Sequence, residues 1–116
     1  MTSESEKDDV RSATALRKCG DELLAARDLS EALVLYDRVI DRFIASTEPA
    51  LCEQLARALN GRGFVLCERD HDTEAAINIY DDIVTRCGTA TEPELREQAA
   101  RALFDKGLGL RYRRGR

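Results

Sequence analysis

The chain repeats itself. "TEPALCEQLARAL" at residues 47–59 returns as "TEPELREQAARAL" at 91–103, with ten of thirteen positions identical and an offset of 44 residues. The same offset carries Tyr36-Asp37 to Tyr80-Asp81, Glu48-Pro49 to Glu92-Pro93 and Gln54 to Gln98, so the period extends beyond the quoted segment. A fixed period of this length means that one supersecondary unit is stacked on copies of itself, because a single unit cannot bury its own apolar face. With 116 residues the chain holds little more than two such units, in one domain.

Local signals within each unit are helical. Thr91 and Glu94 have the spacing of a capping box, and Pro93 sits in the first turn, where its missing N–H costs nothing. Thr47 and Pro49 repeat this without the reciprocal Glu, Asp28 with Glu31 marks another start, and His71-Asp72-Thr73 breaks the pattern after Arg69. The prediction is all-α: five antiparallel helices at about 7–27, 29–44, 48–69, 73–87 and 92–113. Residues 1–6 are expected to be a disordered acidic arm, and 7–116 the folded domain.

One apolar stripe recurs in three of these helices. Ala13, Leu16, Gly20 and Leu23 are matched by Ala56, Leu59, Gly63 and Leu66, and again by Ala100, Leu103, Gly107 and Leu110. Such spacing places all four residues on one side of a helix. A glycine in every stripe admits the close approach of another backbone, which compensates its helix-propensity cost of about 1 kcal/mol. The alternate helices supply Ala32, Tyr36 and Val39, then Ala76, Tyr80 and Ile83, as the expected partners.

A Leu-x-x-x-Gly helix followed by one with a small Ala and an aromatic four residues later resembles the tetratricopeptide repeat, over residues 13–116. The resemblance implies a right-handed solenoid of two and a half repeats, of the long-period variety found in bacterial arrays. Gly20 to Ala32 has the family's spacing of twelve, whereas Gly63 to Ala76 has thirteen, which places one extra residue in the 69–72 turn. The family's usual period is about 34 residues, so helices or connections are longer here. Its terminal proline is replaced by Ile44 and Gly88. A HEAT or armadillo-like solenoid fits the period better but lacks the Gly/Ala contact signature.

Composition narrows the function. Charged residues make up 34% and apolar ones 43%, with two prolines and no tryptophan, which suits helices and does not suggest strands. The N-terminus is acidic where a signal peptide is basic and then apolar, and no apolar run approaches the ~20 residues of a membrane helix, so a cytoplasmic location is expected. Cys19, Cys52, Cys67 and Cys87 form no CxxC, and His71 is the single histidine; the four thiols are read as small buried side chains, without metal or disulfide. No phosphate-binding glycine loop and no nucleophile beside a base is present, and the adjacent carboxylates Asp81-Asp82 are read as structural, since Asp81 matches Asp37 in the other repeat. Neither catalysis nor a cofactor is expected.

The resemblance also implies a concave groove lined by the first helix of each pair. Positions one residue beyond the stripe face it: Thr14, Arg17, Asp21 and Leu24; then Arg57, Asn60, Phe64 and Cys67; then Arg101, Phe104, Leu108 and Arg111. The candidate partner-binding set is Arg57, Asn60, Phe64, Arg101, Phe104, Leu108 and Arg111, and its complement is a peptide with acidic and apolar residues. On the alternative reading the arginines are solvated and the two phenylalanines fill gaps between helices. The family's Lys/Asn carboxylate clamp is not supported, since Arg17 and Asp21 stand there. The basic tail, Arg111 to Arg116, is read as complementing a helix C-terminus, and a net charge of -4 argues against nucleic acid.

The function expected is therefore a non-catalytic protein–protein interaction module, a scaffold or adaptor. Its rivals are a self-assembling structural unit and a piece of a longer array. Residues 99–112 carry Ala99, Ala100, Ala102, Leu103, Phe104, Leu108, Leu110 and Tyr112 on more than one helix side, so homo-oligomerisation through the last helix is expected as well.

Overall fold

The computed structural model describes residues 3–114; residues 1, 2, 115 and 116, the tips of the two charged ends, lie outside them. The described residues form five helices and no strand: α1 (Glu4–Ala25), α2 (Leu29–Phe43), α3 (Pro49–Glu68), α4 (Thr73–Cys87) and α5 (Pro93–Arg114). Helix α1 begins three residues earlier than expected. Ser3 Oγ accepts from the Glu6 N–H at 3.1 Å, and Glu4 and Glu6 lie at the positive end of the helix, so residues 3–6 are its cap and first turn.

Asp28 and Asp72 cap α2 and α4, accepting from the N–H groups of Glu31 and Ala75. The capping box expected at Thr91 and Glu94 does not form. With Pro93 as the first helical residue, Thr91 lies one position too early to cap. Its hydroxyl donates to the Glu92 carboxylate at 3.1 Å, while the Arg96 guanidinium donates to the Ala90 and Thr91 carbonyls at 3.0 and 2.8 Å.

The extra residue between Gly63 and Ala76 is absorbed in one turn. After α1 the Asp28 N–H donates to the Leu23 carbonyl; after α3 the Asp72 N–H reaches the matching Leu66 carbonyl across one more residue. Arg27 and His71, at φ 64° and 54°, supply the left-handed step before each capping Asp.

Each helix packs against its neighbours in the chain, and α1, α3 and α5 also lie side by side. The backbones of α2 and α4 do not pack on each other, although the Arg86 guanidinium donates to the carbonyl of Ile44, which ends α2, at 3.2 Å. The result is a row of three helices with two more laid over the seams, in a body of 51 × 31 × 19 Å. Helix α3, at the centre, meets all four others and is buried on nearly every side.

Two tyrosines fix these contacts. Ala32, Tyr36 and Val39 on α2, and Ala76, Tyr80 and Ile83 on α4, are buried as the stripes predict. What approaches the glycines, however, is a tyrosine ring rather than a backbone. A Cβ on Gly20 would stand 2.7 Å from Tyr36 Cε1, one on Gly61 2.5 Å from Tyr36 Cε2, and one on Gly63 2.6 Å from Tyr80 Cε1. Tyr36 is therefore clasped between α1 and α3.

The third stripe is not used in this way. A Cβ on Gly107 would meet nothing within 4 Å, and Ala100 and Leu103 are exposed. Helix α5 instead turns Leu95, Gln98, Ala99 and Ala102 inward. The difference follows from helix order: α3 sets Gln54 and Gly61 against α1 and α2 and Gly63 against α4, whereas no described helix follows α5.

Polar bonds recur with the period. Arg17 donates to Gln54 Oε1 at 2.9 Å, and its counterpart Asn60 donates to Gln98 Oε1 at 3.1 Å, so both buried glutamines are satisfied by the preceding odd-numbered helix. Asp37 pairs with Arg62 at 3.0 Å, and Asp81 with Lys106 at 2.6 Å. Gly20→Ala, Gly61→Ala and Gly63→Ala should each destabilise by about 1–3 kcal/mol, because the methyl meets a buried ring. Gly107→Ala should stabilise by up to about 1 kcal/mol through helix propensity alone. Urea unfolding of the four variants checks the contrast.

Candidate functional site

Two recesses open along the row of odd-numbered helices, and they occupy equivalent places in the repeat. The first, about 500 Å³, is lined by Asp21, Leu24 and Tyr36, by Arg57, Asn60, Gly61 and Phe64 of α3, and by Arg101 and Asp105 of α5. The second, about 830 Å³, lies between α3, α4 and α5 and is lined by Phe64, Cys67, Glu68, His71, Tyr80, Asp105, Leu108 and Arg111. Phe64 and Asp105 line both, so the two recesses adjoin at these side chains.

Where the copies differ, the groove changes character. In the first recess the Tyr36 hydroxyl donates to Asp21 Oδ1 at 2.6 Å, and Arg17 holds the other carboxylate oxygen at 2.8 Å. Burial, reinforced by that hydrogen bond and the Asp21 charge, pushes the Tyr36 hydroxyl well above its ordinary pKa. In the second recess Phe64 stands where Asp21 would be, and Asp105 where Gly61 would be. Tyr80 thus loses the equivalent acceptor, and its hydroxyl too is pushed up, first by burial and then by the Asp105 charge.

The seven candidate residues are not equivalent. Arg57 and Arg101 edge the first recess, Leu108 and Arg111 the second, and Phe64 stands between them. Arg57 is held by Glu53 at 2.9 Å, whereas Arg101, with its side chain 67% exposed, lies 3.9 Å from Asp105. Asn60 is buried and committed to Gln98 through its amide nitrogen, while its Oδ1 has no partner among the described residues. Phe104 lines neither recess and is 67% exposed. Arg17 and Asp21, placed by sequence on the groove side, are engaged with each other and with Gln54 and Tyr36. Tyr80, His71 and Asp105 were missed as lining residues; only the break in the repeat at Asp105, opposite Gly61, marks that position in the sequence.

Burial disfavours the thiolate at three of the four cysteines. Cys52, Cys67 and Cys87 are pushed up by burial, and Cys19, expected inside, is exposed on α1. Among the described residues no group of His, Cys, Asp and Glu could hold a metal ion, and no helix is long and apolar enough to cross a membrane. Comparison with protein-family models, curated proteins and solved structures returns no match.

Burial raises the Asp105 pKa against the lowering pull of Arg101. The folded state therefore holds this proton more tightly than the unfolded chain does. Ionised Asp105 costs stability above its folded pKa, and the cost fades as pH falls toward the ordinary carboxylate value of about 4. Asp105→Asn should raise the thermal midpoint at pH 7, with an advantage that shrinks toward that pH; melts of both proteins across the range check it.

Proposed function

We propose that this chain is a non-catalytic protein–protein interaction module, a tetratricopeptide-like right-handed solenoid that holds a peptide along the groove over α1, α3 and α5. The observation that carries this reading is the pair of adjoining recesses: apolar at Phe64 and Leu108, with Arg57, Arg101 and Arg111 along their sides. A groove that crosses several helices suits an extended or helical segment, and its arginines suit carboxylates. The recurrence of the same polar bonds from one odd-numbered helix to the next supports a stacked repeat. The partner is accordingly acidic and partly apolar, and cytoplasmic scaffolding is the role that fits.

Asn60 adds a polar feature to the groove wall. Its unpaired Oδ1 is a buried acceptor whose desolvation is uncompensated within the chain.

The test uses fluorescence anisotropy with a library of labelled peptides that combine Asp or Glu with Leu or Phe, alongside charge-reversed controls. Arg57→Ala with Arg101→Ala should weaken the best acidic peptide by about tenfold and flatten its salt dependence, since exposed charge pairs are screened. Helix content should not change. Binding that ignores both substitutions and Phe64→Ala, or that favours the basic controls, would contradict the proposal.

A further inference from the structure

The outer side of α5 carries its own complement. Ala100, Phe104, Gly107 and Leu108 lie on the helix face opposite the buried Leu95, Gln98, Ala99 and Ala102, and all four are exposed, Phe104 at 67% and Leu108 at 47%. Leu103, 55% exposed, borders them. Elsewhere in the molecule an aromatic ring covers each glycine of this stripe: Tyr36 lies on Gly20 and Tyr80 on Gly63. Among the described residues, only the α5 face holds both halves of that contact at once, an uncovered ring at Phe104 and an open notch at Gly107.

Their spacing makes the face self-complementary. Three residues correspond to a rise of about 4.5 Å along a helix. Two α5 helices crossing antiparallel midway between residues 104 and 107 set each Phe104 ring over the notch of Gly107 of the partner subunit, and each Leu103 beside Leu108 of the partner subunit. Charge agrees with this direction. Glu97 and Arg111 flank the apolar stretch on the same helix face; both are exposed, and neither makes an ion pair among the described residues. Antiparallel pairing brings Glu97 within a turn of Arg111 of the partner subunit, twice by symmetry, whereas parallel pairing would set like charges together.

We propose that two copies of this chain pair through α5 about a two-fold axis, with Phe104 of each seated on Gly107 of the other. The pairing rests on Phe104 and Gly107, which line neither recess, while Leu108 and Arg111 are shared with the edge of the second recess.

Sedimentation velocity on the full chain, from about 1 to 100 μM, reads the result on the affinity scale of ordinary dimers. The wild type should reach twice the 13.0 kDa of one chain. Phe104→Ala and Gly107→Leu should be monomers with unchanged helix content, since neither position is packed within its own chain. Glu97→Arg or Arg111→Glu alone should weaken pairing by about tenfold, through two exposed ion pairs lost to like charges. The double reversal should restore it. A wild type that stays at the mass of one chain throughout would overturn the proposal and leave the face to another occupant. A dimer unaffected by Phe104→Ala, or a double reversal as weak as the single ones, would overturn it too.

Discussion

A tyrosine ring lying where a Cβ would otherwise be holds the odd- and even-numbered helices at their distance. Gly20, Gly61 and Gly63 are each closed to any side chain by such a ring. The burial of a large aromatic, worth several times the roughly 1 kcal/mol that glycine costs in a helix, decides the balance. Tyr36 makes this contact on both its faces and so ties α1, α2 and α3 together. Leu55, Val39 and Ile83 then fill what the rings leave, and the recurrent glutamine and carboxylate bonds fix the register between helices.

The candidate site arises where the copies part company. Replacement of Asp21 by Phe64 and of Gly61 by Asp105 removes an acceptor from one tyrosine and adds an apolar wall to the recess beside it. The repeat thus provides the scaffold, and its departures provide the surface. The same logic governs α5, whose stripe is identical in sequence to those of α1 and α3 yet leaves Ala100, Leu103 and Gly107 exposed.

Most of the fold was legible because period and helix signals are properties of neighbouring residues. The Ala/Tyr faces of α2 and α4, the five helices and the extra residue in the 69–72 turn all follow from spacing. Harder to read was which of two apolar faces α5 would bury, since that depends on what lies next to it. The cap at Thr91 failed by a single residue in the helix start, a margin that local signals do not resolve. In the groove, Phe64, Leu108 and the three arginines were legible from their position beside the stripe. Asn60, named by the same rule, also lines the first recess, but its bond to Gln98 was not legible, because only the packing of α3 on α5 creates it. Phe104 was given to the groove by the same spacing rule but lines neither recess and stands exposed one turn from Leu108.

A double-mutant cycle on Gly63 and Tyr80 tests the central contact most directly, with stability read by urea unfolding of the wild type, Gly63→Ala, Tyr80→Leu and the double variant. If the ring is what closes the glycine position, the methyl at residue 63 costs far less once the ring is gone. A coupling of about 1 kcal/mol or more is then expected, above the few tenths typical of independent sites. Penalties that simply add would show that glycine is needed there for another reason and would contradict the account.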